Sequence, residues 1–223
     1  MYLLRALCVC GSIVFLSSAA YSQVGKETTH WNWTQPSELH KGLVAVKVKD
    51  GGGLSWSGSG MVVSGNRILT AAHVLDNGLT FEVIFFDGST KSAKVVNLNT
   101  KSDVGVLSFD ATPDGVTILK VAEQAPMEGD YVEICGFGGS GPLRHFSGHV
   151  GIFSEEVLGV DAYVLPGDSG GAALNEKGEV IGVVSGGMCW SPRLTARVEG
   201  GGLLKATWPV RCGSLGAIKK ALQ

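Results

Sequence analysis

Gly167-Asp168-Ser169-Gly170-Gly171 stands in the second half of this 223-residue chain, and Thr70-Ala71-Ala72-His73 in the first. A serine hydroxyl is a weak nucleophile at its ordinary pKa and needs a nearby imidazole to take its proton. The glycines around Ser169 answer a second need. The backbone must turn sharply there, so that its N–H groups can face the oxygen of a carbonyl under attack. His73 is the candidate base: it follows two small alanines at the end of the apolar run Ile68-Leu69. The bland alternative for Ser169 is a turn serine in a glycine-rich loop.

Working outward, Val44, Val46 and Val48 alternate with Ala45, Lys47 and Lys49, the period of two of a half-buried strand. Met61–Val63, the turn Ser64-Gly65-Asn66 and Ile68-Leu69 predict a hairpin leading to His73; Phe81–Phe86, Asp87-Gly88 and Ala93–Val96 predict another. Val104–Phe109 follows. After a link near Ala111–Gly115, further strands are expected at Val116–Val121, Tyr131–Phe137, Phe146–Ile152, Val160–Leu165, Gly171–Leu174, Val180–Ser185 and Leu203–Thr207. Leu215, Ile218 and Leu222 fall at helical spacing opposite Lys219 and Lys220. Many short strands and 33 glycines indicate an all-β chain, either antiparallel barrels or a sandwich. No internal repeat is visible.

With 17% charged residues and a formal net charge of −2, nothing favours nucleic acid or an anionic membrane as a partner. Residues 1–22 read as a secretory signal peptide: Arg5, the apolar run Ala6–Leu16, then small residues at Ser18-Ala19-Ala20 and Ala20-Tyr21-Ser22. An uncleaved anchor is the alternative, although the apolar run is short for one. A secreted or periplasmic protein is therefore expected, with no membrane contact beyond the signal. Residues 23–40, with Trp31 and Trp33, read as a polar segment packed on a body. Of the cysteines left after the signal, Cys135 lies in an apolar run and reads as a buried free thiol. Cys189 and Cys212 share the loop-rich tail, so a disulfide between them is expected, with reduced thiols as the alternative.

GDSGG and TAAH together resemble the chymotrypsin-like (trypsin-fold) serine proteases, over residues 41–222. The resemblance implies two six-stranded antiparallel β-barrels with a short C-terminal helix: the first barrel about 41–110, the second about 116–212, the helix about 213–222. It implies a serine endopeptidase that forms an acyl-enzyme on Ser169, with His73 as general base, no cofactor, and proteins or peptides as its partners. The order His73, acid, Ser169 leaves Asp76, Asp87, Asp103, Asp110 and Asp114 as acids; Asp103 alone leads directly into an apolar strand, as the family's aspartate does. The oxyanion donors would be the N–H groups of Gly167 and Ser169. Ile181–Gly187 resembles the strand that pairs with substrate, with Ser185 supporting Asp103 and with Ser185 and Gly187 aligning the substrate backbone. The pocket for the residue before the cut would be lined by Tyr163, Val164 and Val184, which carry no charge, unless a register shift brings Asp161 into it.

Two departures matter. No Ile-Val-Gly-Gly segment is present to supply the activating amino group for Asp168, so Asp168 needs another partner, for which Arg144 is the candidate. In texture, Gly58-Ser59-Gly60-Met61 and Asp103-Val104-Gly105-Val106 are similar to bacterial trypsin-like enzymes, in the style of the high-temperature-requirement proteases. His145 and His149 lie close in sequence, but without a third ligand they assign no metal. Rival readings are a non-proteolytic binding protein on the same scaffold and a serine esterase. The esterase would favour a Gly-x-Ser-x-Gly elbow, which this chain lacks at Ser169.

Overall fold

Strand β1 (Leu43–Lys49) buries Val44, Val46 and Val48 and exposes Lys47 and Lys49, which is the alternation its sequence carries. It belongs to a computed structural model that describes residues 38–138, 142–162, 164–187 and 210–223. A short 3₁₀ turn (Glu38–Gly42) leads into it. With β2 (Ser55–Ser64), β3 (Arg67–Thr70), β4 (Thr80–Ile84), β5 (Thr90–Asn99) and β6 (Val104–Ser108), it closes a barrel in the order β1-β2-β3-β6-β5-β4. Every neighbouring pair is antiparallel.

The second barrel contains β7 (Tyr131–Gly136), β8 (Arg144–Phe153), β9 (Val157–Val160), β10 (Ala172–Leu174), β11 (Val180–Gly187) and β12 (Val210–Ser214). Read from β7, its order is β7-β8-β9-β12-β11-β10, the same path as the first barrel. The chain thus repeats a topology that its residues do not repeat. The fold is two closed six-stranded antiparallel barrels with a short C-terminal helix.

Two expected strands need correction, and a third falls outside the described residues. Val116–Val121 is not a strand: only Val121 makes a bridge, to Val180. Its bonds go alternately to both barrels. Leu119 N–H donates to the Val62 carbonyl of β2 (2.8 Å), while the Lys120 carbonyl accepts Val180 N–H of β11 (2.8 Å). A segment shared in this way cannot complete a ladder with either side. The strand expected over Val160–Leu165 instead ends at Val160, where the Asp161 carboxylate accepts the His149 N–H in place of the ladder. Leu203–Thr207 lies outside the described residues, and β12 forms from Val210–Ser214, where no strand was expected.

Helix α1 (Ala72–Leu75) is one turn; helix α2 (Leu215–Ala221) is capped by Ser214, whose Oγ accepts Ala217 N–H at 3.3 Å. The buried face of α2 is Leu215, Ala217, Ile218 and Ala221, while Leu222 is 39% exposed, one step off the face its spacing suggested. Wholly buried Ile218 alone contributes about 1.5–3 kcal/mol. It sits in an apolar cluster that joins the first barrel to Ala172, Leu174, Val180 and Val183 of the second, so the lobes share a core. Cys135 and Cys212 are buried free thiols. The bridge expected between Cys189 and Cys212 is therefore not formed at Cys212, whose side chain belongs to the second barrel's core. Cys189 lies outside the described residues. Among the described residues, no helix is long and apolar enough to cross a membrane.

Candidate active site

Strand β3 delivers His73. Thr70, Ala71 and Ala72 are buried as the chain enters α1, and the Thr70 hydroxyl donates to the Ser59 carbonyl. Ala71 offers α1 no side-chain cap. Asp103 does that work from across the sheet. Its carbonyl accepts Ala72 N–H (3.3 Å), and its Oδ1 accepts His73 N–H (2.9 Å). The other carboxylate oxygen lies 2.8 Å from His73 Nδ1 and also accepts the Ser185 hydroxyl. A carboxylate only accepts, so this geometry requires the proton on Nδ1 and leaves Nε2 with a lone pair. Asp103 holds its place at φ 57°, a left-handed conformation that aspartate tolerates better than most residues.

Burial by itself would raise the Asp103 pKa. The bonds from the His73 ring, the Ser185 hydroxyl and the His73 backbone outweigh it and hold the carboxyl below its ordinary value. A depressed folded-state pKa stabilises the protein above the unfolded value, near pH 4, and that contribution disappears as pH falls through the folded one. The urea midpoint should therefore drop on acidification below about pH 4, less steeply in Asp103→Asn than in wild type. Equal acid limbs in the two proteins would contradict this.

Ser169 sits on a loop locked from both barrels. The 167–168 peptide is fixed by Asp168 N–H on the Leu165 carbonyl (3.0 Å) and by Ser59 Oγ on the Gly167 carbonyl (2.7 Å). The 169–170 peptide is fixed by Ser59 N–H on the Ser169 carbonyl (2.7 Å) and by Gly170 N–H on the Val184 carbonyl (2.6 Å). Gly170 is obligatory: at φ 86°, a Cβ there would collide with the Ser59 carbonyl and the Thr70 hydroxyl. Ser169 Oγ donates to the Ser185 carbonyl at 3.4 Å, a long bond that is easily exchanged. Side-chain exposure is 50% for His73 against 12% for Asp103, so the imidazole opens to solvent and the acid does not.

Asp168 points away from solvent and is 1% exposed. Its carboxylate accepts N–H groups from Gly138 (2.6 Å) and Leu165 (2.7 Å) and meets the Arg144 guanidinium at 3.4 Å. Arg144 is thus the partner the sequence pointed to. Replacing it with methionine leaves a buried anion without its counter-charge, and should cost about 3 kcal/mol in denaturant unfolding. A loss under about 0.5 kcal/mol, the level of a surface change, would show the pair to be unimportant.

Ser185 lies where the β11–β12 register shifts, between Val184 and Gly186, and this bulge sends its hydroxyl to Asp103. Gly187 ends β11, opposite Val210. Val184 is wholly buried in the second barrel's core, with Val164 packed against that cluster. Tyr163 lies outside the described residues. Asp161 is engaged by His149, 3.8 Å from its ring, on an exposed edge. His145 and His149 diverge: His145 pairs with Glu133 at 2.7 Å, while His149 stands beside Tyr131 and Asp161. The residue that sequence reading missed is Ser59. Its signal was a serine between two glycines inside an apolar strand, Gly58-Ser59-Gly60.

The chain is 32% identical over 141 residues to the putative serine protease HhoB of Synechocystis, covering 57% of this chain and 33% of that one. It is 31% identical over 139 residues to the periplasmic serine endoprotease DegP of Escherichia coli, covering 56% and 29%. The chain thus spans about a third of the length of these curated relatives. The active form of the Rv3671c protease from M. tuberculosis superposes with a TM-score of 0.69 at 21% identity, covering 82% of this chain and 80% of that one. The serine endoprotease of Yersinia pestis gives 0.67 at 22%, covering 82% and 62%. At that identity the superpositions speak for the fold. The family model described as a trypsin-like peptidase domain matches residues 58–183, more than half of the chain, and the chain belongs to that family.

Proposed function

We propose that this chain is a serine endopeptidase that cuts peptide bonds through an acyl-enzyme on Ser169. The observation that carries the reading is the Asp103 carboxylate, which collects the His73 backbone N–H, the His73 ring and the Ser185 hydroxyl while the nucleophile loop is locked beside it. His73 Nε2 takes the Ser169 proton as Oγ attacks the substrate carbonyl, then gives it to the leaving amine. Asp103 keeps the imidazole in the right tautomer and stabilises its cation. The backbone N–H groups of Gly167 and Ser169 receive the developing oxyanion, each donor contributing about 2.7–4 kcal/mol to the transition state. Substrate lies extended along Ser185–Gly187 of β11. Hydrolysis of the ester by water follows, with His73 as base again. No cofactor takes part in these steps.

The finer architecture belongs to the same proposal. Residues 1–22 direct secretion or periplasmic export, 23–40 precede the catalytic unit, and 41–222 form it. The residues we assign to the pocket for the residue before the cut are Tyr163 and Val164, with Val184 behind Val164 in the second barrel's core. The neutrality of this pocket is supported by Asp161 being held at His149. An uncharged pocket rejects lysine, arginine and glutamate, because burying an unpaired charge costs several kcal/mol.

The test is labelling by a fluorophosphonate, with the modified peptide mapped to Ser169, followed by cleavage of a peptide library. Labelling at Ser169 and cuts after uncharged residues are expected. No labelling would overturn the enzyme assignment, and cuts mainly after Arg or Lys would overturn the pocket.

A further inference from the structure

Tyr131, Glu133 and Cys135 lie on one face of β7, opposite to Val132 and Ile134, which fill the barrel core. In the β7–β8 ladder Cys135 pairs with His145, so sheet geometry sets thiol and imidazole side by side, about 5 Å apart at Cβ. Glu133 joins them with its Oε1 2.7 Å from His145 Nδ1. The 3₁₀ turn before β1 brings His40 to the same place: its Nε2 is 3.7 Å from that oxygen, and its ring centroid is 5.4 Å from that of His145. The donor atoms of His40, Glu133 and Cys135 all lie within 4.8 Å of one another. His40 and Glu133 are only 14% and 23% exposed, and Cys135 is fully buried. Burial, followed by the charges of Glu133 and Asp168, pushes the Cys135 thiol well above its ordinary pKa.

We propose that His40, Glu133, Cys135 and His145 form a zinc site outside the catalytic centre. Two imidazoles, a carboxylate and a thiol are the donor set of a tetrahedral zinc, and a mixture containing sulfur and imidazole disfavours magnesium and calcium. Donor atoms around a tetrahedral zinc stand roughly 3.3–3.8 Å apart, so side-chain rotation must draw in the His40, Glu133 and Cys135 donors, which lie within 4.8 Å of one another, and open the 2.7 Å contact of His145 with Glu133. Binding replaces the S–H bond of Cys135 with a Zn–S bond, and the thiol proton leaves to solvent. The ion would tie the segment before the first barrel to two strands of the second. The site adjoins Gly136 and Arg144, the residues beside Asp168.

Cobalt(II) is the spectroscopic probe. Titrated into the chelator-treated full chain, it should give one equivalent of tetrahedral d–d absorption with a thiolate-to-cobalt charge-transfer band. One equivalent of zinc should erase both. Cys135→Ser should lose the charge-transfer band, and His40→Ala should weaken cobalt affinity at least tenfold. His40 lies on a terminal turn, so its variant stays informative if Cys135→Ser does not fold. A wild-type spectrum without the charge-transfer band overturns the proposal, as does a band that survives Cys135→Ser or an affinity unchanged in His40→Ala.

Discussion

Ser169→Ala should lose about 10⁶-fold in kcat on a peptide substrate while unfolding at the wild-type temperature. The two halves of that expectation have separate causes. Nothing else on the loop can form the acyl bond, so what remains is substrate binding and the oxyanion donors, worth roughly 10³–10⁴ over the reaction in water. The hydroxyl itself holds little structure, since its bond to the Ser185 carbonyl is long at 3.4 Å. The loop is kept in shape by backbone groups and by Ser59, all of which survive the substitution. Peptidase assays and a thermal melt of the purified variant check both halves. A variant retaining a tenth of wild-type activity would place the chemistry elsewhere.

Asp103→Asn should lower kcat by about 10⁴-fold, with KM little changed. The carboxylate receives three donors: a backbone N–H, a ring N–H and a hydroxyl. An amide must turn its own NH₂ toward at least one of them. The cheapest relief is for the imidazole to move its proton to Nε2, which then has no lone pair for the Ser169 proton. Steady-state kinetics of the variant decide the matter. A loss of less than tenfold would mean that Asp103 orients nothing that the reaction needs.

The strongest local patterns were legible in the residues alone. Val44, Val46 and Val48 wrote out β1, and Asp103, Ser185 and Arg144 were each assigned contacts that the structure has. Reading failed where a residue's partners were long-range. Val116–Val121 is apolar enough for a strand, but its bonds are divided between two barrels, which no local pattern can express. Val210-Arg211-Cys212-Gly213-Ser214 has little strand character by itself and becomes β12 because β9 and β11 flank it. Ser59 entered only through the texture of Gly58-Ser59-Gly60-Met61, since its partners at Gly167 and Ser169 are more than a hundred residues away. Cys135 read correctly as a buried thiol, whereas the company of His40 and Glu133 is visible only once the barrels are built.

Ser59 has one more consequence. It is residue five of a first-barrel strand, yet its hydroxyl and N–H hold two of the peptide planes that shape the second barrel's nucleophile loop. Neither lobe therefore contains a finished active centre. A chain made from its N-terminus completes β1 to β6 while the stretch bearing Ser169 is still to come, and that stretch takes its final shape only on meeting β2. On the proposed function, competence to cut would be a property of the docked pair.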